Sequence, residues 1–445
     1  MDHQTETIVK LIQSSDPLQD DQALAAARTG LSDYIASSLA AVQESAVAKL
    51  HDYVAREQGP ATLIGANIWV TAQNAALFNG FQAHYLDYDD THAGVRGHPS
   101  APILSALLAV SDADTMGDEF LRAYIIGVEM MARLGESVNP YHYLHGWHAT
   151  GTFGAIAAAA AIGALKHLPN TRLAQVLGIA ATQSAGLRFQ VGTAVKPLHA
   201  GLAARAAVFA YEAVEEAGIA GSTELFNEAN GYFRVYGTAN PDIAKWKQTW
   251  GKPWRIVSPG LWFKRYTFCS AAMQGADAAQ SLYHAHRFKA SDIARIDVFF
   301  PKNGDSALLV RAPQTGEEGR FCIEYIVWLA LTGQPLERAA FAPTPIPEKT
   351  RAELLKVQRN YDDPEWQASE NAQPKGRYTA VKVTTRSGKI YSTIVDQPKG
   401  SPANPLSQLE HQTKLSQASE NATDITALIN RLEHEPLGPL IRLIN

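Results

Sequence analysis

The run "GTFGAIAAAAAIGAL", Gly151 to Leu165, is apolar on every side of a helix and stops at Lys166. A helix without a polar face has to be covered all round. This one is mostly alanine and falls short of the roughly 20 strongly apolar residues that a membrane span requires. It therefore predicts a buried helix, with no membrane partner. "SAPILSALLAVSDA", "AYIIGVEMMARLGE" and "LAQVLGIAATQSAGL" have the same character. From residue 5 to about 250, apolar positions recur at helical spacing, as in "LSDYIASSLAAVQESAVAKLHDYVARE". Helices covered on all sides imply a large helical bundle.

That texture breaks at "WGKPWRIVSPGLWFKRYTFCS", where prolines, tryptophans and glycines interrupt the helical period. Beyond it come one helix, "SAAMQGADAAQSLYHAH", the alternating run "ARIDVFF", and "RYTAVKVTTRSGKIYSTIVD". The last predicts a hairpin turning at Ser387-Gly388-Lys389. After "GSPANPLS" helical pattern resumes. The fold class expected is mainly α. A large all-helical domain is built from residues 1–257 and 407–445, and a smaller α+β domain from 258–406.

A length of 445 residues suits two such domains, against a soft expectation of about 150 residues each. The formal charge of -5 and the lack of any Lys/Arg run exclude the footprint of a nucleic-acid binder. Two cysteines, Cys269 and Cys322, are too few for a disulfide scaffold and lack metal-type spacing. With a polar, acidic start and no visible targeting segment, a cytoplasmic setting is expected.

Against this background "HYLDYDDTHAGVRGHPSAP", residues 84–102, is unusual. His84, Asp87, Asp89, Asp90, His92 and His98 are ligand types, and an Asp-rich helix end could hold magnesium. No second acidic cluster or basic pyrophosphate motif accompanies them, so no metal is expected. Other polar groups stand at the mouths of apolar helices. His145 and His148 lie in "YLHGWHATGTFGA", Lys196 and His199 in "VKPLHAGLAARAA", and Lys264, Arg265, Tyr266 and Cys269 in "FKRYTFCSAAM". Each has a plain structural use as a cap, a snorkelling amine or a buried thiol. Together they suggest a site.

In order along the chain, "NAALFNGFQAHYLDYDDTH", "GHPSAPILSALLAV", "GWHATGTFGAIAAAAAIGAL", "VKPLHAGLAARAAVFAYEA", "FCIEYIVWLAL" and "GSPANPLS" resemble the MmgE/PrpD family over nearly the whole length. The resemblance implies a helical domain from both chain ends, a smaller α+β lid and a homodimer. It further implies cofactor-independent chemistry on small polycarboxylates, as in 2-methylcitrate dehydratases, cis-aconitate decarboxylases and iminodisuccinate epimerases. Active-site positions carried over are Asp87, His98, His148, Lys196 and Tyr325. "KRYTFCSAAM" departs from the pattern, having Cys269 where decarboxylase members have histidine and Met273 at the histidine of dehydratase members. "VRGHPS", "HYLHGWH" and "GKPWRIVSPGLWFKRYTFC" resemble the epimerase branch.

The step common to such reactions is loss of a proton beside a carboxylate, which requires the developing charge to be stabilised in a water-poor site. Lys196 is expected to hold a carboxylate and that charge, with His98 as a second donor and Arg96 as a possible clamp. His148 suits a general base, and Asp87 either orients it or is itself the base. Asp89, Asp90 and His92 are expected to cap and orient the turn. Cys269, with an unperturbed pKa of roughly 8.5 lowered by Lys264 and Arg265, would be the acid on the opposite face. The function expected is thus epimerisation of an iminodisuccinate- or succinyl-amino-acid-like substrate. The alternatives are a dehydratase or decarboxylase of the same family, or a non-catalytic polycarboxylate-binding relative.

Overall fold

The computed structural model describes residues 1–372 and 374–445 and divides into two units. The first comprises Met1–Phe189, Ala194–Trp262 and Ser407–Asn445; the second, Gln190–Thr193 and Phe263–Leu406. The fold is mainly helical with small sheets, and none of the described helices is long and apolar enough to cross a membrane.

At the heart of the first unit the helix Ala149–Leu165 is buried along its whole length. It packs against Gly117–Val138, Ser100–Val110 and Val195–Glu215. Its small side chains let neighbours come close: a Cβ at Gly154 would lie 2.9 Å from Pro102 and 3.2 Å from Ala203. Another close approach joins the helices Ala72–Tyr85 and Val195–Glu215. A Cβ on Gly201 would stand 2.1 Å from the Leu77 carbonyl oxygen, and one on Gly80 2.7 Å from Gly201 Cα. Only glycine permits this backbone-to-backbone contact.

The first unit is helical as its apolar periodicity predicts, with two short antiparallel ladders added. Gln58–Thr62 pairs with Trp69–Val70, and Thr91–His92 with Leu261–Trp262. The second pairing carries this unit past residue 257 to Trp262, because backbone partners of residues 91–92 lie there. Such short ladders leave no alternating pattern in sequence.

The second unit holds a four-stranded sheet, ordered Val357–Tyr361, Ile293–Phe300, Thr379–Thr385, Ile390–Val395. The first pair is parallel and the others antiparallel. The predicted hairpin is present, and Gly388 takes the positive φ of 82° that its turn requires. Helices Met273–His286 and Ile323–Leu331 pack together, the first against the hairpin strands and the second against Val357–Tyr361.

Candidate active site

The helix Ala72–Tyr85 delivers His84 in its last turn, and the chain then reverses at Asp87, whose φ is 53°. Asp87 donates its N–H to the His84 carbonyl at 3.1 Å, closing the turn. Thr91–His92 runs outward and a loop closed by His92 N–H to the Gly97 carbonyl, 3.1 Å, brings the chain back. Gly97 lies so near the helix Ala149–Leu165 that a Cβ would come within 3.0 Å of Thr150 N. His98 N–H then donates to Thr150 Oγ1 at 3.2 Å. Asp90 caps the next helix by accepting from Ser100 N–H at 3.3 Å, and its carboxylate also takes the Ser100 hydroxyl, which contacts Tyr124 Oη. Burial drives the Asp90 carboxyl up to about 8.

These turns meet Lys196, in the first turn of Val195–Glu215. Its Nζ lies 2.6 Å from Asp87 Oδ1 and 2.9 Å from His84 Nε2. His84 Nδ1 faces Asp89, 2.9 and 3.0 Å from the two carboxylate oxygens. Because the ammonium can only donate, His84 Nε2 carries the lone pair and Nδ1–H donates to Asp89. His98 Nδ1 is 3.1 Å from Asp89 Oδ2 and its Nε2 3.5 Å from Asp87 Oδ1. All five side chains are buried. Burial, then the Lys196 charge, holds His84 below its ordinary pKa despite Asp89. Burial alone would raise Asp89, but the charges and hydrogen bonds of His84 and His98 bring it well below the usual carboxylate range.

Ligand atoms of His84, Asp87, Asp89 and His98 lie within 4.8 Å of one another, a spacing compatible with a metal ion. One nitrogen of His84, Nε2, and one oxygen of Asp87, Oδ1, are already engaged by the Lys196 ammonium. A metal held by these four residues would stand beside that ammonium, and the two cations would repel each other in a poorly solvated site.

His148 is the N-cap residue of Ala149–Leu165, and its ring stacks on His84 with centroids 6.0 Å apart. Its Nδ1 lies 3.0 Å from His199 Nδ1, so one ring donates and the other accepts. Burial, and next the Lys196 charge, holds His148 well below the ordinary histidine pKa. Burial brings His199 down to about 4, with His84 and Lys196 adding to it. Room for the pair comes from Gly186, at φ 127°, where a Cβ would sit 3.2 Å from His199 Cγ. Among the described residues His148 Nε2 has no hydrogen-bond partner. The site thus presents an uncharged imidazole next to an anchored ammonium.

Asp87, His98, His148 and Lys196 are therefore gathered in one place. Asp89 is a correction: it does not cap the turn but bridges His84 and His98, because the Asp87 reversal points it inward. His92 does orient the loop, accepting from Gly94 N–H at 3.2 Å and reaching the Arg255 carbonyl at 3.1 Å. Arg96 is not brought in as a clamp. It is exposed and its guanidinium lies 5.4 Å from the Tyr143 ring centroid, with no hydrogen bond or ion pair to the described residues of the cluster. His84 and His199 entered the sequence reading only as a ligand type and a helix-mouth histidine. The signal for His199 is its i+3 spacing from Lys196, which puts both on one helix face.

Cys269, Tyr325, Lys264 and Arg265 belong to the second unit. Cys269 sits in that unit's apolar core, its N–H bonded to the Arg320 carbonyl at 3.0 Å. Tyr325 donates its hydroxyl to the Ala340 carbonyl at 2.9 Å. Lys264 is fully buried, while Arg265 is exposed with its guanidinium 5.1 Å from the Tyr266 ring centroid.

Comparison with known proteins agrees with this architecture. The MmgE/PrpD N-terminal domain matches residues 7–243 and the MmgE/PrpD C-terminal domain residues 266–431. The chain belongs to the MmgE/PrpD family. It is 25% identical to a cis-aconitate decarboxylase of Mus musculus over 354 residues, 76% of this chain and 70% of the relative. The Homo sapiens cis-aconitate decarboxylase is 24% identical over 358 residues, 76% and 71% of the two chains. That of Aspergillus terreus is 31% identical over 175 residues, 35% of this chain and 36% of the relative.

Proposed function

We propose that the chain is a lyase that acts on a small polycarboxylate of the cis-aconitate kind, with His148 and Lys196 as its central catalytic groups. The observation that carries this reading is the uncharged His148, tied to His199, beside an ammonium fixed between Asp87 and His84. In such a decarboxylation the bond to one carboxylate breaks and carbon dioxide leaves. The electron pair passes into a system conjugated with a remaining carboxylate, and a proton is added to the carbon beside that carboxylate. Lys196 is suited to hold the remaining carboxylate and the charge that spreads onto it. In this reading His98, whose longer contact is the 3.5 Å from Nε2 to Asp87 Oδ1, is the second donor to substrate.

His148 is neutral in the empty site because burial and Lys196 disfavour its charge. A bound polyanion reverses the sign of the local field and favours imidazolium. Substrate would thus bring in the proton that His148 then delivers. The names of the mouse, human and Aspergillus relatives support a lyase. Epimerisation is the second reading, favoured by the resemblance of the segment around Cys269 and Met273, "KRYTFCSAAM", to the epimerase branch rather than to the lyases. The position of Cys269 in the apolar core of the second unit gives that reading less support.

Proton NMR in heavy water separates these readings, with cis-aconitate, citrate, 2-methylcitrate and N-succinyl amino acids of both configurations offered in turn. Carbon dioxide release or new vinyl signals are expected. Deuterium entry with loss of optical purity and no fragmentation would replace the lyase with an epimerase.

A further inference from the structure

The three consecutive residues Asp87, Tyr88 and Asp89 alternate in their attachments. The outer two face the candidate site, Asp87 towards Lys196 and Asp89 towards His84 and His98. The middle one is gripped from behind. Lys414, on the C-terminal helix Gln408–Ser416, donates to the Tyr88 carbonyl at 2.7 Å and stands 3.8 Å from the centroid of its ring. The same ammonium lies 2.6 Å from Asp33 Oδ1 on the helix Asp21–Ala40. Lys414 and Asp33 are both buried.

A charge buried for stability alone is a poor choice, because an apolar side chain of similar volume usually does as well. What Lys414 adds is a fixed point for one peptide group. Asp87 holds a left-handed backbone conformation that non-glycine residues adopt only when their surroundings over-determine it. A turn of that kind, released at Tyr88, swings both flanking carboxylates.

We propose that Lys414, held by Asp33, is a positioning residue that fixes the Asp87–Asp89 turn for catalysis, acting through Tyr88 rather than on substrate. As a statement about turnover the proposal rests on the lyase reading above. As a statement about geometry it does not.

The test uses the full-length protein with 15N-labelled histidine. Lys414→Met alone would leave Asp33 buried without its cation, so the informative variant is Asp33→Asn with Lys414→Met, which removes both charges. The imidazole signals of His84, assigned by its own substitution, are expected to shift, because its Nδ1–H loses its fixed carboxylate. kcat is expected to fall about ten-fold or more with KM changed less than about three-fold, since misplacement of a catalytic group acts on the chemical step. Lys414→Arg, which keeps the charge but cannot set one compact ammonium against both oxygens, is expected to lie between. Unshifted His84 signals in the folded double variant would overturn the proposal whatever the kinetics. Should that variant not fold, Lys414→Arg decides by the same signal. If the wild-type protein turns over no polycarboxylate, the lyase reading fails while the His84 signal still tests the positioning role.

Discussion

Lys196 and His84 meet Nζ to Nε2 at 2.9 Å although 112 residues apart in sequence, and the contact fixes the tautomer of one by the charge of the other. The candidate site is arranged around that pair. His84 passes the connection to Asp89, Asp89 to His98, and Lys196 keeps Asp87 at its side while lowering the pKa of the neighbouring histidines.

Removal of the ammonium is therefore expected to do more than weaken substrate binding. Lys196→Met should lower kcat/KM by about 100-fold or more, the scale of losing one preorganised charge stabiliser. It should also raise the pKa of His148, since the Lys196 charge is the largest depressing influence after burial. Both are measurable, by kinetics and by 15N titration of the imidazole. A variant with wild-type kcat/KM would remove Lys196 from the mechanism.

Asp89→Asn keeps the shape but replaces the carboxylate that faces both His84 and His98. The expected result is a loss of roughly 10- to 100-fold in kcat, as when an orienting partner of a catalytic histidine is weakened. Circular dichroism should remain that of the parent. Asp114→Asn, on an exposed turn, serves as the control.

Gly201→Ala tests the helix contact that builds the site. The added methyl would start 2.1 Å from a backbone oxygen, so the helices Ala72–Tyr85 and Val195–Glu215 must part. Overpacking of this kind costs about 1–3 kcal/mol, to be read from denaturant unfolding. Because the same helices carry His84 and Lys196, activity should fall with stability. Parent-like values of both would show that the contact relaxes harmlessly.

Stability should peak near neutrality. Burial lowers His92 from an ordinary 6.5 to about 4, and His199 to about 4 as well. Between those values the unfolded chain binds protons that the folded one refuses, so stability falls as pH is lowered from 6.5 towards 4. For the fully buried His92 the loss is roughly 3 kcal/mol at the acid end. Asp90 acts in the opposite direction: with its carboxyl raised to about 8, the folded state keeps a proton that the unfolded chain has released. Its contribution therefore declines as pH rises from about 4 and is gone above about 8. Unfolding free energies across pH 4 to 9 should trace this arch, and Asp90→Asn should flatten its alkaline side.

Much of the molecule was legible in its sequence because the signals were local. A helix with no polar face has to be interior, as Ala149–Leu165 is, and Ser387-Gly388-Lys389 between two alternating runs has to turn. Asp87, His98, His148 and Lys196 could be singled out because polar groups at the mouths of apolar helices need a reason to be there, and because the motifs around them resemble a family. The two-residue pairing of Thr91–His92 with Leu261–Trp262 left no such trace, nor did the outward turn of Arg96.

What the sequence alone determined was the helical class, the positions of its turns and a short roll of candidate side chains. Tertiary structure decided which of them touch. Asp89 joined His84 rather than capping a turn, His148 found His199, and Lys414 reached Tyr88 across 326 residues. Hydrogen bonds of about 3 Å depend on backbone separations that long-range packing sets, here the glycine contact between two helices. Periodicity and composition record which face of a helix is buried, not how closely the next helix approaches it.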